Sequence, residues 1–214
     1  MNIPKLHYVP QGNTTKELLE NIQKACTSGI ELVQLKFSNI SEKKFLKLAI
    51  EAREITSHFQ TKLIIKDFYK VAKEIKADGV HLEKTETCPT LLRKQLYTWQ
   101  TIGAIANSVQ ECETLLIKEV DYISLGPFRV ATSKDTMPPV LGLNGYALIL
   151  EALNTKTPII GYGGITKVDV TELLETGISG IAVTEEITQN FDSIRTFNQL
   201  LMAPSTNEQR HTFE

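Results

Sequence analysis

The apolar run "KLIIKD" at residues 62–67 ends in a lysine pressed against an aspartate. Lys66 and Asp67 have counterparts at the ends of other short apolar runs: Gln34 and Lys36, Glu83 and Glu86, Asn107 and Ser108, Ser133 and Lys134, then Gly163, Gly164 and Thr184. Any one of these reads as a chain leaving its strand for solvent. Together they put ammonium groups, carboxylates, hydroxyls and bare backbone at corresponding places on separate runs, and a solvated rim does not require such complementary chemistry. Two stretches point to phosphate. "GYGGIT" (161–166) and "GIAVTEE" (180–186) offer backbone N–H groups that few side chains obstruct, and a helix beginning after either adds a partial positive charge. A glycine pair also serves an ordinary tight turn, so the pattern indicates an anion without naming its carrier.

These groups can meet only if the elements that carry them are arranged around one point. Short β-branched runs alternate with segments of helical period, the pattern of βα units around a parallel sheet. The strand runs are 6–10, 31–37, 62–67, 79–83, 101–106, 121–128, 158–164 and 180–184. Helical stretches between them include 14–29, where Leu18, Leu19, Ile22 and Ala25 share a face and Gly29 supplies a stop, together with 41–59, 109–120 and 168–177. Eight strand runs with helices between them predict a single (β/α)8 TIM barrel over residues 1–202, followed by a polar tail at 203–214. Function in such a barrel belongs at the carboxyl ends of the strands. The stretch 129–143, with Pro138 and Pro139, reads as a long loop of the kind that forms a lid.

Composition narrows the partners. A chain of 214 residues with 42% hydrophobic content and a net charge of −2 has no basic stripe for a nucleic acid, and no run long enough to cross a membrane. The expected partners are small molecules or another copy of the chain. Cys26, Cys88 and Cys112 have no metal-like or disulfide-like spacing and read as reduced thiols, which together with the absence of a leader pattern predicts a cytoplasmic protein.

The stretches "VQLKF" (33–37), "LIIKD" (63–67), "ADGVHLEKTE" (77–86), "DYISLGPFRVATSK" (121–134), "LGL" (141–143), "GYGGI" (161–165) and "GIAV" (180–183) resemble, in order, those of the thiamine-phosphate synthase and thiazole tautomerase family. The resemblance implies a transferase that joins hydroxymethylpyrimidine diphosphate to thiazole phosphate with Mg2+ and releases pyrophosphate. It assigns Lys36 and Lys134 to the diphosphate, Asp67 and Glu86 to the metal, and Gln34, Ser133, Gly164, Val183 and Thr184 to substrate binding; Lys66 reads beside them as a diphosphate anchor and Asn107 as a further substrate-binding residue. The match has departures. Lys36 stands where the family prefers arginine, Ser38 where it places a lysine, Lys66 where it places an asparagine, and Ile105 and Ala131 where it places hydroxyl residues. Three cations therefore remain, with one moved from position 38 to position 66. A competing reading has the Lys66 ammonium neutralising Asp67 and blocking the metal.

Two alternatives stay open. The tautomerase branch would isomerise a thiazole carboxylate phosphate, but Pro127 follows Gly126 where that branch has its proton-transferring histidine. A non-catalytic regulator would keep only the phosphate cradle. His7 and His81 lie inside strand runs and read as packed, His58 closes a helix, Trp99 and Tyr122 read as packing residues, and Arg129 reads as a surface pair.

Overall fold

The computed structural model describes residues 3–37, 40–83, 88–129 and 139–203. Eight parallel strands close into a barrel in sequence order. The order is β1 (Leu6–Tyr8), α1 (Thr15–Thr27), β2 (Leu32–Leu35), α2 (Glu42–His58), β3 (Lys62–Lys66), α3 (Tyr69–Glu74), β4 (Gly79–Leu82), α4 (Pro89–Arg93), β5 (Thr101–Ala106), α5 (Val109–Ile117), β6 (Tyr122–Leu125), α6 (Gly142–Leu153), β7 (Ile159–Tyr162), a 3-10 turn (Lys167–Asp169) running into α7 (Val170–Glu175), β8 (Gly180–Val183), α8 (Glu185–Gln189) and α9 (Ser193–Met202). The (β/α)8 expectation holds, and every predicted strand run contains a strand. Most strands stop short of the run's end, because the chain must leave the ladder there: Asp67, for example, takes φ +59 directly after β3.

Helices α1, α2 and α5 start where the sequence supplies a cap. Thr14 accepts the Glu17 N–H at 3.1 Å while Glu17 accepts the Asn13 N–H at 2.7 Å, and Ser108 with Glu111 repeats the arrangement at α5. Gly29 follows α1 at φ +87, as its expected role as a stop requires. Helices α3, α4 and α8 have five or six residues, too few to show a helical period in the sequence. The stretch read as a loop to residue 143 is helical from Gly142; its residues 130–138 lie outside those described, as do Ser38, Glu86, Ala131, Ser133, Lys134 and nearly all of the expected tail.

Side-chain alternation along the strands divides the core. Leu63, Ile65, Val80 and Ile123 point outward into the layer shared with the helices, while Leu32, Ile64, Tyr122, Ile160 and Ala182 fill the barrel. The Tyr122 ring crosses the interior over Gly103, where a Cβ would lie 2.1 Å from the ring; only glycine leaves it room. His7 meets Tyr122 edge-on at 5.4 Å and His81 stacks on it at 5.5 Å, so the two strand histidines are packed as expected. At the amino-terminal end, Asp78 accepts the Leu63 N–H and Arg53, and Asp121 accepts the Ile102 N–H and Arg93. These aspartates brace strand entries and leave the opposite end for chemistry. Trp99, expected to be packed, is 40% exposed and stacks on Tyr97 at 5.6 Å, because β5 begins only after it.

Candidate active site

The parity that puts Ile64 inside the barrel also turns Lys66 inward, two residues on. Lys66 is 9% exposed, and its ammonium donates to Glu83 Oε1 at 2.7 Å. Lys36, at the end of β2, donates to Glu83 Oε2. One carboxylate thus bridges two ammonium groups from neighbouring strands. Burial works to raise the Glu83 carboxyl, but Lys66 and Lys36 outweigh it and hold it at about 2. Burial pulls the Lys66 ammonium below its ordinary value, with Glu83 opposing. The reading in which Lys66 neutralises Asp67 does not match the hydrogen bonding: the partner of Lys66 is Glu83, and Asp67 Oδ1 instead accepts the Glu83 backbone N–H at 2.9 Å.

Below this cluster lies a polar floor. Gln34 is 1% exposed and bonds His7 Nδ1 at 2.8 Å, while His7 Nε2 reaches the Pro4 carbonyl at 3.0 Å. The His81 Nδ1 pairs with the Tyr122 hydroxyl at 3.1 Å. Burial holds His7 at about 3, against its bond to Pro4, and keeps His81 well below its ordinary value, so both rings are neutral. Ser124 is the ladder partner of Ile105, and its buried hydroxyl has no hydrogen-bond partner among the described residues.

The opposite wall is backbone. Gly163 and Gly164 take φ +94 and +65, and a Cβ on Gly163 would lie 2.6 Å from that of Pro127. Arg129 locks this turn. Its guanidinium forks onto both oxygens of Asp169, its Nη1 also donates to the Gly164 carbonyl at 3.1 Å, and Asp169 caps the Thr166 N–H at 2.8 Å. The surface pair expected of Arg129 is therefore a clamp on the glycine turn. Val183 packs outward, so what it presents inward is main chain; Thr184 follows and opens α8. Two carboxylates, Glu185 and Glu186, border the same wall, Glu186 pairing with Lys167 at 3.6 Å.

A cavity of about 450 Å³ joins these parts and is lined by Gln34, Lys66, His81, Glu83, Ser124, Gly163, Gly164, Val183 and Thr184, among others. Lys36 lines the adjoining opening with Lys66 and Glu83. Asn107 stands apart from the main cavity: its amide N–H groups go to the Gly126 carbonyl and, at 2.8 Å, to the Tyr162 hydroxyl. That spans three strands and makes Asn107 a brace of the wall.

Residues 7–187 match the family model described as Thiamine monophosphate synthase. The thiamine-phosphate synthase of Flavobacterium johnsoniae is 36% identical over 205 residues, covering 93% of this chain and 97% of that one. That of Bacteroides fragilis is 30% identical over 199 residues, covering 92% and 98%. The chain belongs to this family. A thiamine phosphate pyrophosphorylase from Pyrococcus furiosus superposes with a TM-score of 0.80 over 93% of this chain and 97% of that one; at 24% identity the likeness speaks for the fold.

The Glu83 carboxylate sits between the Lys36 and Lys66 ammonium groups of this cluster. Sequence reasoning counted Glu83 among the polar strand ends but gave it no role. The signal was available in the alternation His81, Leu82, Glu83, which sends Glu83 to the same side as His81. Among the described residues no group of three or more His, Cys, Asp or Glu side chains forms a metal-binding set. Asp67 nonetheless fits one position of a Mg2+ site, which typically takes one or two carboxylates and completes its shell with substrate phosphate oxygens. The Glu83 N–H fixes the orientation of that carboxylate. No helix among the described residues is long and apolar enough to cross a membrane.

Proposed function

We propose that this chain joins hydroxymethylpyrimidine diphosphate to thiazole phosphate, releasing pyrophosphate and forming thiamine phosphate. The observation that carries the reading is one cavity with two unlike walls: the Lys66 ammonium at one, with Lys36 at the adjoining opening, and the positive-φ glycine turn at the other. Two phosphorylated substrates need two such places, and the reaction runs between them.

In this mechanism Lys66 and Lys36 donate to the diphosphate oxygens, where negative charge grows as the C–O bond breaks. Backbone N–H groups near Gly164 and Thr184 hold the thiazole phosphate. Gln34, kept in one orientation by His7, faces the pyrimidine, and neutral His81 adds no positive charge beside the pyrimidine-methyl cation that the thiazole nitrogen captures. Ser124 offers a hydroxyl beside Ile105, where the family's serine is missing. Asp67 and Glu86 would hold Mg2+, which neutralises charge on the leaving pyrophosphate. Ser133 and Lys134 complete the diphosphate set on this reading. A cytoplasmic setting suits the thiols, and a measurement of mass in solution tests whether the chain pairs with a second copy.

The test supplies both substrates and Mg2+ and measures pyrophosphate and thiamine phosphate together. Equal amounts of the two products are expected; release of neither removes the reading. The tautomerase alternative has no support at Pro127, which packs against the glycine turn and carries no proton to transfer.

A further inference from the structure

Lys66 has a problem that its place in the barrel creates. Its side chain is 10% exposed, and a buried ammonium without a counter-charge is strongly destabilising. Glu83 resolves this with an oxygen on Lys66, and its second oxygen reaches Lys36. The main chain that carries this carboxylate is held by the Glu83 N–H, which donates to Asp67 Oδ1 at 2.9 Å and leaves the side chain free to turn. Two acceptor oxygens on one carbon, one on each of two ammonium groups, reproduce what two oxygens on one phosphorus would do at the same point.

We infer that Glu83 is an internal counter-ion that occupies the position of a phosphoryl group, is displaced when the diphosphate binds, and on returning drives pyrophosphate off the lysine pair. The inference rests on the assignment of Lys36 and Lys66 to the diphosphate. It accounts for Glu83 and Lys66 together, because a cation placed at this inward position requires a partner while the site is empty. The exchange substitutes one set of charge-assisted hydrogen bonds for another, so binding is weaker than the lysine pair alone would give and release is correspondingly faster.

The experiment titrates inorganic pyrophosphate into the intact chain and into Glu83→Gln and Glu83→Asp variants by calorimetry, with melting temperatures recorded for each. Glu83→Gln removes the competing charge and should tighten pyrophosphate by about ten- to a hundredfold. Glu83→Asp keeps a partner for Lys66 but is one methylene too short to span both ammonium groups, and should lie between the two. In steady-state assays Glu83→Gln should lower the diphosphate KM and make pyrophosphate a stronger product inhibitor, a split that a purely structural role would not produce. Equal or weaker pyrophosphate binding in folded Glu83→Gln overturns the inference. If that variant does not fold, equal or weaker binding in Glu83→Asp does so. Absence of pyrophosphate binding in all three chains also overturns it. The two readings part cleanly: an intact chain that makes thiamine phosphate while Glu83→Gln fails to tighten removes only the inference, and tightening without any thiamine phosphate removes only the reaction.

Discussion

The two walls of the cavity differ in the groups they present. The wall from β2 to β4 uses long charged side chains, Lys36 and Lys66, with Glu83 set between them. The wall from β6 to β8 uses main chain, the Gly163–Gly164 turn clamped by Arg129 and Asp169. A side-chain site can be rewired residue by residue, provided each new charge finds a partner, as Lys66 finds Glu83. A backbone site cannot be rewired in that way. Its glycines leave no room for change, because a Cβ on Gly163 or Gly164 would lie 2.6 Å from Pro127 or 3.0 Å from Arg129, respectively.

The comparison breaks most sharply at Gly164. Gly164→Val should weaken thiazole phosphate binding by about a hundredfold or more, since φ +65 and the Arg129 Cβ at 3.0 Å from a new Cβ force the turn away from the anion. Titration with thiazole phosphate on a chain whose circular dichroism is unchanged checks this, and near-normal affinity would show that the turn is not the cradle.

The next effect tests whether the opposite wall really is interchangeable. Lys66→Asn should slow C–O cleavage, and with it turnover, by about ten- to a hundredfold, the loss of one charge-assisted hydrogen bond at the leaving group. Adding Ser38→Lys should recover part of it, and the two changes should be non-additive because they act on one anion. Turnover over a Mg2+ series for the four chains decides it: if Lys66→Asn alone is the fastest, Lys66 obstructs the site and does not anchor it.

Acid stability sharpens the contrast from beneath. His7 is held neutral among Lys66, Lys62, Gln34, His81 and Tyr122, and burial lowers it from 6.5 to about 3. Between those values the unfolded chain takes a proton that the folded chain refuses, so stability rises with pH through this window. The slope reaches about 1.4 kcal/mol per pH unit for one such histidine. Denaturant titrations between pH 4 and 7 should show it, and His7→Gln should lessen it, with buried His81 keeping the remainder.

The smallest expected effect lies at the clamp. Arg129→Lys keeps a charge near Asp169 but loses the fork, and should raise the thiazole phosphate KM by about three- to tenfold with kcat nearly unchanged. A fall in kcat with an unmoved KM would place Arg129 in the chemistry instead.

The amino-acid sequence determined the eight strands, the barrel they close into and the set of strand ends where function collects. Hydrophobic alternation and the Gly29 stop after α1 are local, and local signals survive in one dimension. It also marked Lys36, Lys66, Asp67, Gly164 and Thr184, because polar residues and glycines at the ends of buried runs stand out against their neighbours. What it left undecided were partners. The Lys66–Asp67 adjacency suggested an ion pair, yet the strand pleat turns Lys66 inward, and Asp67 leaves the strand at positive φ. The acid that meets Lys66 comes from the end of the next strand, 17 residues away. Arg129 and Asp169 lie 40 residues apart and meet only because β6 and β7 are neighbours in the closed barrel. Ion pairs depend on a few ångströms between groups far apart in the chain, and only the closure of the barrel sets those distances.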